Sequence, residues 1–141
     1  MGFDQKGDLS ETLYITRRKI KAFLHGIIYY ACRIFPIDKN KIVMWTFEGG
    51  GGYGCSPKYV AEEILKRNQA GETGYKIVWL LSDTDKEFPE EIRKVRSTLW
   101  NRAYHLSTAG TWVSNTRTFY GARKRKKQCY IQTWHATICI K

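Results

Sequence analysis

Apolar and polar positions divide the chain into one long helix followed by strands and helices in turn. Ile20, Phe23, Leu24, Ile27, Ile28, Ala31, Ile34 and Phe35 recur at helical spacing. This predicts a helix over 13–35, stopped by Pro36. Residues 41–47 are short, β-branched and aromatic, and read as a strand. A glycine-rich loop leads to Ser56 and Pro57, a serine N-cap and an early proline that open a helix running to about residue 68. Residues 75–81 are almost wholly apolar, as a strand buried on both faces would be. Segments 89–96 and 97–108 read as helices with a break between them, and 111–114 and 128–134 as two further strands. Strands alternating with helices predict an α/β fold with a Rossmann-like parallel sheet. The expected organisation is a basic amphipathic helix region over 1–36 and a Rossmann-like domain over 37–141. No internal repeat is present. The chain stops a few residues past a strand with no helix to cover it, so a fragment of a larger protein is expected.

Charge sharpens this picture. The net charge is +11, which concentrates anionic partners: nucleic acid, acidic lipid headgroups or polyphosphates. Charge alone does not choose among them. The four cysteines, Cys32, Cys55, Cys129 and Cys139, form no C-x-x-C pair and have no histidine at zinc-ligand spacing. They are expected to be reduced, and neither a metal site nor a cofactor is indicated. Asp4, Asp8 and Glu11 precede any apolar run, which argues against a signal peptide. The apolar stretch 22–32 is far short of the roughly 20 residues that span a bilayer.

Three features could carry chemistry. The loop Glu48-Gly-Gly-Gly-Gly-Tyr-Gly54 lies between a strand and a helix N-terminus. Its glycines allow close backbone approach to an anion, and the helix dipole favours phosphate. A flexible connector is the alternative, and the spacing matches neither a Walker loop nor G-x-G-x-x-G. His135 follows a strand directly, at the end where open α/β sheets bind ligands, and its imidazole suits removal of a hydroxyl proton. A structural histidine is the plainer reading of spacing alone; His25 and His105, inside helices, read as packing or surface residues. The cationic groups form two clusters: Arg17, Arg18, Lys19 and Lys21 on the first helix, and the run Arg123, Lys124, Arg125, Lys126 and Lys127. Each reads either as a solvated face or as a contact for anionic lipid or polymer. The first helix correspondingly either packs on the domain or lies in a membrane interface.

The segments Phe35-Pro-Ile-Asp-Lys-Asn-Lys-Ile-Val43, Tyr53-Gly-Cys-Ser-Pro-Lys-Tyr59, Tyr75-Lys-Ile-Val-Trp-Leu80, Trp112-Val-Ser-Asn115 and Tyr130-Ile-Gln-Thr-Trp-His135 occur in this order. Together they resemble the start of the CDP-glycerol glycerophosphotransferase family. The resemblance implies the N-terminal half of a GT-B-type fold, with a second Rossmann-like domain across a cleft. It implies transfer of glycerol phosphate from CDP-glycerol to a polyanionic poly(glycerol phosphate) acceptor, with release of CMP, in teichoic acid biosynthesis. It also implies peripheral association with the cytoplasmic face of a bacterial membrane. His135 maps onto the histidine of the family's Thr-Trp-His-Gly-Thr motif as general base. Gly49, Gly50, Gly51, Gly52, Tyr53, Asn115, Trp134 and Thr137 are the expected substrate- or acceptor-binding positions. Ala136 departs from the family glycine. The second domain, which by resemblance holds most of the donor site, is expected to lie outside these 141 residues, which alone are expected to lack transferase activity.

Several alternatives stay open: a non-catalytic basic module on anionic membrane or nucleic acid, a GT-B sugar transferase, ribitol in place of glycerol, priming in place of polymerisation, and a homo-oligomer. No nucleic-acid motif accompanies the charge.

Overall fold

The computed structural model describes residues 5–47 and 52–133. Five strands form one parallel sheet: β1 (Asp38–Trp45), β2 (Lys76–Leu81), β3 (Ile92–Arg96), β4 (Ala109–Ser114) and β5 (Cys129–Gln132), in the order β3-β2-β1-β4-β5. Among the described residues the α-helices are α1 (Gln5–Ala31), α2 (Cys55–Gln69) and α3 (Leu99–Thr108). The predicted α/β parallel sheet is the one found.

Strand periodicity divides the core into two layers. Val43, Trp45, Val78, Leu80 and Trp112 face Tyr29 of α1 and Ala103 and Leu106 of α3. Ile42, Met44, Ile77, Trp79, Leu81 and Val113 face Ala61 and Leu65 of α2. β2 is buried over 77–81, which explains its unbroken apolar run.

Segment 89–96 is not a helix. Ile92 and Val95, three apart, mimic helical spacing, but they point to opposite faces of the sheet, one into each core layer. Ile77 pairs with Ile92 and Leu80 with Val95. Arg93, Lys94 and Arg96 are exposed, and charges along an outer strand discourage pairing with other chains. The break before α3 holds: Thr98 caps that helix, its Oγ1 accepting from the Asn101 N–H at 3.3 Å.

Two helix boundaries differ from expectation. α2 begins at Cys55 after a Gly54 cap with no side-chain capping bond, so Ser56 is not the cap. α1 starts at Gln5, eight residues earlier than the apolar stripe indicates, and tightens into a 3-10 turn at Cys32–Ile34. Phe35, restricted by Pro36, then turns extended at φ −73°, ψ 142°.

The face of α1 toward the body is narrow. Ile28, Tyr29 and Cys32 pack on the core, whereas Phe23 is 70% exposed, Tyr30 72% and Ile34 80%. Gly121 holds the helix in place: its φ is +76°, and a Cβ there would lie 2.6 Å from the Gly26 nitrogen and 2.7 Å from the Ala22 carbonyl oxygen. Arg18 donates to the Tyr120 hydroxyl at 2.9 Å, and Arg33 to the Arg123 carbonyl at 3.1 Å, on either side of this contact.

Buried Gln128 secures the entry to β5. Its Nε2 donates to the Leu106 and Ala109 carbonyls at 2.6 and 2.7 Å, and its Oε1 accepts from the Arg125 N–H at 2.7 Å. The side chain is fully satisfied, as a buried amide must be.

Candidate functional site

α2 and α3 lie on opposite faces of the sheet, so the winding reverses between β1 and β4, where open α/β sheets bind ligands at the carboxyl ends of their strands. Here the side chain of Asn115, directly after β4, reaches across to β1. Its Oδ1 accepts from the Phe47 N–H at 2.9 Å. Asn115 is 3% exposed, and among the described residues its Nδ2 has no hydrogen-bond partner. It fixes the relative position of the two loops that leave the switch point.

Beside it a cavity of about 380 Å³ opens over the ends of β1, β2 and β4. Its floor is aromatic. Trp45 stacks on Tyr130 at 6.0 Å and meets Trp112 edge-on at 6.2 Å and Phe119 at 5.3 Å. The Trp45 indole N–H also donates to the Arg117 carbonyl at 3.4 Å, holding the loop after β4. Arg102 and Arg117 bring positive charge to the walls, and Thr46, Ser82, Ser97 and Thr116 bring hydroxyls. The Arg102 guanidinium lies 4.7 Å over the Phe119 ring. Sequence reasoning missed both arginines. Their only signal was position: Arg117 two residues past Asn115, and Arg102 in the opening turn of α3.

The expected site residues fare differently. Gly49, Gly50, Gly51, Trp134, His135 and Thr137 lie outside the described residues. Asn115 stands at the switch point. Gly52 sits against the Lys86 stem, where a Cβ would meet Lys86 Cδ at 3.1 Å. Tyr53 packs into the α2-side core, edge-on to Trp79 at 5.5 Å and 5.2 Å from Phe88. Burial pushes its phenol pKa up, with Glu62 and Glu91 adding to the effect. The glycine loop re-enters the described structure at Gly52, and Cys55 has a left-handed φ of 56°, uncommon for a residue with a Cβ.

The basic run divides in two. Arg125 is structural, its guanidinium donating to the Phe35 carbonyl at 2.8 Å and the Ser107 carbonyl at 3.3 Å. Lys124 donates to the Gln128 carbonyl at 3.2 Å. Arg123, Lys126 and Lys127 are exposed. On α1, Arg18 is held by Tyr120, while Arg17, Lys19 and Lys21 are exposed.

The strongest electrostatic perturbations lie at the opposite, amino-terminal edge of the sheet. Lys41 is buried, donates to Thr108 Oγ1 at 2.8 Å and lies 4.9 Å over the Tyr104 ring. Burial, reinforced by Arg93, brings its pKa down to about 8. Burial, with Lys41 and Arg93 nearby, brings His105 down to about 4. Among the described residues no group of His, Cys, Asp and Glu is arranged to hold a metal ion, and no helix is long and apolar enough to cross a membrane.

The fold is an open parallel α/β sheet with an arginine-lined cavity at its switch point. Residues 27–141 match the family model described as CDP-Glycerol:Poly(glycerophosphate) glycerophosphotransferase, and the chain belongs to that family. It is 37% identical over 102 residues to a teichoic acid poly(glycerol phosphate) polymerase of Staphylococcus epidermidis, a match covering 70% of this chain and 13% of that protein. A polymerase of the same description from Bacillus spizizenii is 22% identical over 122 residues, covering 85% of this chain and 30% of the other. Among solved structures, the wall teichoic acid polymerase TagF superimposes with a TM-score of 0.67 at 27% identity, over 89% of this chain and 32% of that one. A TagF variant soaked with CDPG gives 0.66 at 27% identity, over 96% and 34%. The chain therefore spans a third or less of the length of the curated relatives it matches.

Proposed function

We propose that this chain is the acceptor-side portion of an enzyme that transfers glycerol phosphate from CDP-glycerol to a poly(glycerol phosphate) chain in teichoic acid synthesis. The observation that carries the reading is the family match, which runs unbroken from α1 through the switch-point loops to His135 and beyond. In the reaction, the terminal hydroxyl oxygen of the acceptor attacks the phosphorus that bears glycerol. The bond from that phosphorus to the CMP oxygen breaks, and CMP leaves. His135, three residues past the end of β5, takes the hydroxyl proton as general base. Such chemistry depends on positioning and on cations that meet the developing charge, which suits an arginine-lined edge. The test uses a protein of family length carrying this chain, assayed for CMP release and polymer growth. His135→Ala should lower turnover at least a hundredfold with the fold intact. Near-normal turnover removes His135 from the role, and preference for a nucleotide sugar over CDP-glycerol favours the sugar-transferase reading.

The membrane contact in this reading is α1. Its stripe of Ile20, Phe23, Leu24, Ile27, Tyr30 and Ile34 is exposed along one helix, and contiguous apolar surface marks interaction sites. Beside it stand the exposed cations Arg17, Lys19 and Lys21. A groove of about 960 Å³ between α1 and the 118–123 loop continues this apolar surface. An interfacial helix buries such a stripe while its cations meet anionic headgroups; in this reading the protein sits peripherally on the cytoplasmic face of the membrane. Phe23→Ser with Ile34→Ser is expected to release the chain from anionic vesicles in a sedimentation assay. Unchanged sedimentation would assign the stripe to packing against another part of the protein.

A further inference from the structure

We propose that Arg102 and Arg117 form a subsite that grips one phosphodiester of the acceptor, setting which terminal hydroxyl meets the base. The inference rests on the reading above for the identity of the ligand; the anion site itself rests on the cavity.

Arg102 is an unusual cation. It is half-buried in the first turns of α3, with its guanidinium stacked on Phe119, and its Nε is buried without a hydrogen-bond partner among the described residues. Among the described residues it has no carboxylate partner: the three ion pairs join Lys58 to Glu62, Arg67 to Glu63 and Lys76 to Asp38. Removing a charge from water without a counter-ion is costly. A fold that keeps one at the edge where ligands bind is arranged for an anion to complete it. Arg117 reaches the same cavity from the loop after β4, on a backbone tethered by the Trp45 indole. Guanidinium groups bind phosphate oxygens in a planar, two-pronged way that ammonium groups cannot reproduce.

Size narrows the ligand. About 380 Å³ is at the low end for a small-molecule pocket. A phosphodiester with an adjoining glycerol unit fits within it. A polymer that carries phosphate at a fixed interval from its terminal hydroxyl is placed in register by gripping one phosphate.

The test is binding of poly(glycerol phosphate) oligomers of defined length to the 141-residue chain by titration calorimetry at fixed ionic strength. Inorganic phosphate is a second probe, and circular dichroism checks each fold. Arg102→Gln and Arg117→Gln are each expected to weaken oligomer binding about fivefold or more, and the double variant more than tenfold. Arg123→Gln with Lys126→Gln, in the exposed basic run, should change it less than about twofold. Because Arg117 is exposed, its variant reads the subsite even if Arg102→Gln disturbs Phe119. Equal binding by wild type and double variant, or loss only in the Arg123 and Lys126 control, overturns the subsite while leaving the transferase reading intact. No oligomer or phosphate binding to wild type also overturns it. Phosphate binding lost in the double variant, without oligomer binding in wild type, supports the anion site and counts against the glycerol phosphate acceptor.

Discussion

Gly121→Val is expected to destabilise the chain by about 3 kcal/mol and to detach the 118–123 loop from α1. Two costs combine. At φ +76°, a β-branched residue enters a backbone region it strongly disfavours, a strain of roughly 1–3 kcal/mol. The new Cβ also falls within 2.7 Å of two backbone atoms of α1, the Gly26 nitrogen and the Ala22 carbonyl oxygen. Backbone on both sides cannot give way as a flexible side-chain tip would, so helix and loop must separate. The Arg18–Tyr120 and Arg33–Arg123 bonds on either side would then be strained or lost. Gly26→Ala is the control with the opposite sign. A Cβ at Gly26 meets nothing within 4 Å, and alanine in a helix is favoured over glycine by about 1 kcal/mol. Urea melts of the three proteins decide the matter. A Gly121→Val midpoint equal to wild type would show that loop and helix do not meet as described.

Acidification from pH 6.5 to pH 4 should remove about 2–3 kcal/mol of stability through His105 alone. The folded pKa is about 4 against an ordinary 6.5, so between these values the unfolded chain binds the extra proton and unfolding becomes easier as pH falls. The contribution is complete above about pH 6.5 and lost as pH drops through 4, at about 1.4 kcal/mol per unit before any relaxation around the ring. His105→Gln should flatten this part of the profile. Among the described residues the Nδ1 of His105 has no hydrogen-bond partner to lose, and glutamine does not titrate. Lys41 acts in a separate window: with a folded pKa near 8, it makes stability rise between about pH 8 and 10.5. Equal slopes for wild type and His105→Gln between pH 4 and 6.5 would mean that the imidazole is solvated after all.

The elements that could be read from sequence are those where one physical effect dominates. β2 shows as an unbroken apolar run because both faces are covered, and the glycine loop stands out by composition alone. β3 did not, because it is an outer strand: only Ile92 and Val95 are buried, and two apolar residues three apart fit a helix as well as a strand. The early start of α1 was hidden because residues 5–12 carry no apolar period. At the site, Asn115 could be found through its motif. The stacking of Arg102 on Phe119 brings together residues from two distant segments, and no local pattern encodes that. The basic run misled in its uniformity. Five adjacent cations look alike in sequence, yet Arg125 is bonded to two carbonyls that close the fold while Lys126 beside it is exposed.

The length of α1 turns the Gly121 contact into a pivot. From Gly26 back to Gln5 the helix extends about 30 Å at 1.5 Å per residue, ending well away from the residues that hold it. A rotation of about 10° at the pivot would swing that far end by about 5 Å. The helix thus works as a lever: slight changes in how the 118–123 loop seats beneath it become large displacements at its tip. Any surface that engages the tip can, in turn, apply torque to a loop that begins one residue after Arg117.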